Sequence, residues 1–190
     1  VGQYPRQVAN HTTPTLSTTI SNFGSFGYFN PNVSTPTGNG FKYNGTQTLY
    51  GGGFFLRVDY DDVISWENGF SSEFIPLMET VHGGCPAGDC YYTAYIDPNT
   101  MVKVAQQSFT FNSSGSQDFI IYRLYIKNYG DSPLSDLCIG FYTDFDLHYD
   151  SGWFDRAQWV PASNWGYMWE TAASPLFSGY VGLVNLEGVG

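Results

Sequence analysis

The chain has 190 residues, with 17 acidic side chains against 7 basic ones, a formal net charge of −10 and an isoelectric point near 4.3. Charged residues make up only 13% and aromatics 18%, so Thr, Ser, Asn, Gly and Tyr cover a surface that Lys and Glu would cover in a helical cytosolic protein. The basic residues Lys42, Lys103, Lys127, Arg6, Arg57, Arg123 and Arg156 are dispersed along the chain, which argues against nucleic acid and anionic membrane surfaces as partners and leaves cations, neutral glycans and neutral polar surfaces.

Residues 1–14 are polar and carry Pro5 and Pro14. They read as an arm or linker, flexible by default but able to pair with another subunit's sheet edge. Residues 15–190 read as a single domain. Leu16 to Phe23 is a Thr-rich strand, and the segment to Phe29 continues it with glycine bends. Asn30 to Asn39 is a Pro/Asn/Ser/Thr/Gly loop. Gly40 to Tyr43 and Leu49 to Asp59 are strands around Asn44-Gly45, a strong hairpin signal. The run Gly51-Gly52-Gly53 predicts a bulge or a close backbone approach.

Asp61 to His82 shows no clean period and reads as a long connection with short strands. Tyr91 to Ile96 and Val102 to Phe111 are strands split by the turn Asp97-Pro98-Asn99-Thr100. Phe119 to Lys127 is β-branched and aromatic on both alternating faces, the pattern of a central strand covered on both sides. After the turn Asn128 to Pro133, Leu134 to Leu147 is expected to be its hairpin partner. Trp165 to Trp169 and Tyr180 to Leu186 supply the last strands. No long apolar stripe of period 3.6 is present. The fold expected is all-β: an antiparallel β-sandwich, jelly-roll or supersandwich-like, with long loops and little helix.

The chain begins at Val1 without an apolar leader, and no apolar stretch approaches the roughly 20 residues of a membrane span. A leader already removed, and membership of a longer polypeptide, are the expectations. Cys85 and Cys90 flank a tight Gly/Pro turn, and a disulfide between them is the simplest reading of that spacing outside the cytoplasm. Cys138 lies in an apolar segment and reads as a buried inert thiol. Four sequons, at Asn10, Asn32, Asn44 and Asn112, are candidate glycosylation sites.

The segments Thr19-Ile-Ser-Asn-Phe-Gly-Ser-Phe-Gly-Tyr28, Gly38-Asn-Gly-Phe-Lys-Tyr43 and Leu49-Tyr-Gly-Gly-Gly-Phe-Phe-Leu56 follow one another in a familiar order. Asp118 to Asn128 and Ser132 to Asp146 complete it. Together they resemble a β-sandwich domain of large secreted bacterial surface proteins, some of which bear C-terminal sorting domains and some of which are linked to extracellular proteases. The resemblance spans about residues 16 to 186. It implies an extracellular location and a β architecture, and it brings no catalytic residue.

Asp144, Asp146, Asp150 and Asp155 lie at the end of one strand and in the loop after it. Alternate carboxylates on a strand point the same way, which suits a hard cation such as calcium. The competing reading is a solvated acidic loop, or carboxylates bonded to backbone amides. Asp59-Tyr60-Asp61-Asp62 is open to the same two readings. A glycosidase pair drawn from Asp144, Asp146, Glu67, Glu73, Glu79 and Glu170 would need two carboxyls facing a cleft. His11, His82 and His148 read as surface or turn residues, and no nucleophile elbow accompanies them. Tyr149, Trp153, Phe154, Trp159, Trp165, Tyr167 and Trp169 crowd one stretch. Trp153, Trp159, Trp165 and Trp169 are the candidates for glycan contact, against burial in a core or an interface.

Three functions follow from these residues. The first is a non-catalytic extracellular structural or interaction module of a surface protein or of an assembled filament or sheath, whose partners are copies of itself or neighbouring domains. The second is a carbohydrate-binding module, with or without calcium. The third is an extracellular glycoside hydrolase or other hydrolase domain.

Overall fold

The computed structural model describes residues 4–27, 38–58, 62–64, 74–85, 88–147, 152–173, 175 and 177–186. Asn32, Glu67, Glu73, His148, Tyr149 and Asp150 lie outside the described residues, as do Asp59, Tyr60 and Asp61.

The described residues form three antiparallel sheets and no α-helix. The first sheet contains β1 (Val8–Thr12), β2 (Leu16–Ser21), β3 (Ser25–Phe26), β4 (Phe41–Tyr43), β5 (Thr46–Gln47), β6 (Leu49–Val58) and β7 (Asp62–Ile64). It ends in β13 (Cys138–Phe145), in the order β13-β6-β3-β2-β4-β5, with β1 on β2 and β7 on β6. The second sheet has β8 (Ile75–Pro76), β9 (Val81–Cys85), β10 (Gly88–Ile96), β11 (Val102–Phe111) and β12 (Ile121–Asn128). Its order is β12-β11-β10-β8, with β9 on β10. The third is a small sheet of β14 (Asp155–Val160), β15 (Trp165–Glu170) and β16 (Val181–Val184).

The first two sheets face each other across an aromatic core. Phe54, Leu56 and Val58 alternate inward from β6 and meet Tyr95 of β10 and Val102 and Val104 of β11, with Phe74 between them. The Phe54, Phe74 and Tyr95 rings meet at centroid distances of 5.0 to 6.2 Å, tilted or edge-on, the geometry that ring quadrupoles favour. Each such buried side chain contributes about 2 kcal/mol to folding. The hydroxyl of buried Tyr95 donates to Gln106 Oε1 at 3.1 Å, so its polar end is satisfied. A second cluster of Phe26, Leu49 and Phe145 receives Met168 and Val181 from the small sheet, which fixes that sheet to the flank of the sandwich.

Asn44 and Gly45 both take positive φ, 48° and 83°, the two-residue turn that the strands β4 and β5 need. The chain then leaves the hairpin, and β6 pairs with β3 and β13 instead. The glycine run has both of its expected consequences. A Cβ on Gly52 would lie 2.7 Å from the Phe26 ring, and the β6–β13 register shifts between Asp144 and Phe145.

Several expectations are corrected. Val8–Thr12 is not a free arm; it pairs with β2 over its whole length. His11 is accordingly fully buried, not a surface residue. The Phe119–Lys127 segment is an edge strand, not a central one: β12 pairs with β11. Its presumed hairpin partner β13 belongs to the opposite sheet and pairs with β6. The connection 129–137 crosses between sheets and lays Leu134 against the core. Cys138 opens edge strand β13 and is exposed rather than buried.

Candidate functional site

The small sheet carries the tryptophans. A strand's period of two puts Trp165, Tyr167 and Trp169 on one face of β15, and Gly166 and Met168 on the other. Met168 turns inward to the second core cluster, so the aromatic face turns out. Tyr180, just before β16, joins it. The ring centroids of Trp165 and Tyr167 are 4.7 Å apart at 39°, and those of Tyr167 and Trp169 are 5.6 Å apart at 36°. Tyr180 meets Tyr167 edge-on at 5.5 Å. Rings this close cannot lie side by side in one plane. They lean on each other and form no single flat platform.

Glycines make room for this stack. A Cβ on Gly182, the register partner of Tyr167, would fall 2.9 Å from both Trp165 Nε1 and Tyr167 Cβ. The Tyr167 hydroxyl donates to Gln158 Oε1 at 2.7 Å. Trp159 stands on the opposite face of the sheet, over Gly166, and is 56% exposed; Tyr180 is 68% exposed. Trp153, in the 3-10 turn Gly152–Phe154, is 84% exposed. An open groove of about 320 Å³ runs between this sheet and β13, lined by Thr143, Phe145, Ala157, Gln158, Trp159 and Met168 among others.

No family model, curated protein or solved structure matches this chain. The site therefore stands on its own geometry.

The described acidic candidates lie on different elements. Asp144 is exposed on β13, opposite Gly51. The backbone N–H of Asp146 donates to the Thr48 carbonyl at 3.1 Å. Asp155 opens β14, where its Oδ2 accepts the Leu147 N–H at 3.2 Å. Glu170 accepts the Phe177 N–H at 3.1 Å. Among the described residues no group of three or more His, Cys, Asp or Glu could hold a metal ion. Asp155 and Glu170 hold backbone amides, as capping and turn carboxylates do.

The Cys85–Cys90 disulfide is present, with a Cα–Cα distance of 5.9 Å. It ties β9 to β10, where both cysteines lie on one face of the hairpin. Beside it His82 Nε2 meets Asp89 Oδ1 at 3.2 Å. Of the sequons, Asn44 sits at an exposed hairpin turn and Asn112 in an exposed loop. Asn10 lies within β1, and its Oδ1 accepts from Thr19 Oγ1 and the Asn39 N–H.

Sequence reasoning did not single out one group. His11 is held between two hydroxyls, Nδ1 to Thr110 Oγ1 at 3.0 Å and Nε2 to Ser108 Oγ at 2.8 Å, with Tyr91 edge-on at 4.8 Å. Burial lowers its pKa to about 4, opposed by the Asp89 charge and assisted by His82. Ser108 is itself fully buried, so the trio joins β1 to β11 and offers no nucleophile to a substrate. Val8-Ala9-Asn10-His11-Thr12 carries no strong strand signal of its own, and its pairing with the Thr-rich β2 is what buries the ring.

Proposed function

We propose that this chain is a secreted, non-catalytic structural or interaction module of a surface protein or of an assembled appendage. One observation carries the reading: Trp165, Tyr167, Trp169 and Tyr180 pack ring on ring on the face of the small sheet turned away from the core. Rings already committed to one another lose little side-chain freedom on docking, and Trp and Tyr are the side chains that interface centres collect. Tyr180, which packs on Tyr167 and Trp169, is 68% exposed, and Trp153, in the turn before β14, is 84% exposed. The Cys85–Cys90 disulfide suits an oxidising compartment, and no helix among the described residues is long and apolar enough to cross a membrane. The likeness to domains of secreted bacterial surface proteins points the same way. Size-exclusion chromatography tests the reading. The wild-type chain is expected to elute as an assembly at micromolar concentration, and Trp153→Ser with Tyr180→Ser to elute as a monomer. A monomeric wild type at every concentration would remove self-packing from it.

A second reading, carbohydrate binding, is favoured by the groove beside Trp159. There an exposed indole adjoins Thr143 and Gln158, a ring and polar groups in the combination a sugar uses.

A further inference from the structure

The basic residues are dispersed in sequence, yet three of the seven meet on one surface. Lys103 of β11 and Lys127 of β12 are register partners. Arg123 lies four positions earlier on β12, roughly 13 Å along the strand, with Tyr125 between them on the same face. Val102, Val104, Gln106 and Ser108 of β11 are buried on the other face, so the cations look outward. Rings hold them. The Lys103 and Lys127 ammonium groups lie 5.4 and 4.8 Å from the Tyr129 ring centre, and the Arg123 guanidinium 5.8 Å from that of Phe109. Among the described residues none of the three has an ion pair with a carboxylate, in a chain where acids outnumber bases by 17 to 7. A ring face steadies a cation without neutralising it.

Charges on an edge strand also deter sheets from pairing edge to edge. That accounts for Arg123 and Lys127. It does not account for Lys103, which is on the interior strand, or for Tyr125 and Tyr129, which are 55% and 49% exposed and would invite contact.

We propose that the outer face of β11–β12 binds a linear anionic polysaccharide. Its carboxylate or sulfate groups meet Lys103, Lys127 and Arg123, and a sugar ring stacks on Tyr125. Three cations along one strand pair match a polymer with about one charge per sugar far better than duplex DNA with a charge per ~1.7 Å of axis. Lysine is depleted in protein interfaces, which argues against a protein partner on this face. Salt screens charges beyond about 8 Å at physiological ionic strength, and Asp131, two residues after Tyr129, forms no ion pair with either lysine. Binding on this face does not depend on self-assembly.

The test uses the full chain on immobilised polygalacturonate and dextran sulfate, with uncharged dextran as control. Wild type is expected to bind both polyanions, to ignore dextran and to be released by salt. The triple variant Lys103→Gln, Arg123→Gln, Lys127→Gln, with its melting temperature checked, is expected to bind roughly tenfold more weakly or worse. Tyr125→Ala is expected to weaken binding at all salt concentrations, and Lys42→Gln, on β4 of the other large sheet, to leave it unchanged. Equal binding by wild type and triple variant, equal binding to dextran, or no binding to either polyanion overturns the proposal. So does a triple variant that keeps polyanion binding but loses self-association, which would give this face to a second copy.

Discussion

His11 shows how one residue can tie a fold to pH. Folding places its ring between Ser108 and Thr110, out of water and facing Tyr91, with Asp89 and His82 the charged groups nearby. Its pKa falls from an ordinary 6.5 to about 4, chiefly through burial. The neutral ring is the folded form, so stability is fully present above the unfolded value. As pH falls from 6.5 toward 4 the unfolded chain takes up a proton that the folded chain refuses. The loss approaches about 3 kcal/mol at pH 4. Denaturant midpoints at pH 7.5 and 4.5 check this. Wild type is expected to lose more stability over that interval than His11→Gln, which has no proton to refuse. Parallel losses in the two proteins would show that His11 is not the linked group.

At the scale of elements, much of the architecture is legible in the chain. Asn44-Gly45 announces its turn because only residues tolerant of positive φ close a two-residue hairpin. Asp97 caps its own turn, accepting from the Asn99 and Thr100 N–H groups and the Thr100 hydroxyl. Cys85 and Cys90 are close enough in sequence for a hairpin to join them. What misleads is β12. Its outward Arg123, Tyr125 and Lys127 alternate with inward Tyr122, Leu124 and Ile126, and an outward tyrosine looks like core when sequence is all one has. The pairing of β13 is also hidden. Segment 129–137 contains turn residues, but whether it folds back or crosses to the facing sheet depends on where Leu134 is buried. Asp144, Asp146 and Asp155 lie close in sequence, but their spacing does not reveal that Asp155 takes the Leu147 N–H. The small sheet carries its own prediction. If the groove beside Trp159 takes a sugar, wild type will register on a glycan array and Trp159→Ala will not, with or without calcium. An array blank for wild type would remove that reading.

For the whole molecule, two large sheets bury the aromatic core, and β1 and β2 close one side through His11. Among the described residues the opposite flank ends in the edge strands β12 and β13, and the small sheet packs there through Met168 and Val181. The surface is thus unequal. Among the described residues, the outer face of β11–β12 is cationic and aromatic, and the small sheet carries packed Trp and Tyr rings. The most direct measurement is the contact map of the chain in a native, undissociated preparation, by cross-linking or imaging. The account predicts that Trp153, Tyr180 and the β15 rings lie against a neighbouring copy or domain. Contacts elsewhere, with those rings open to solvent, would contradict it.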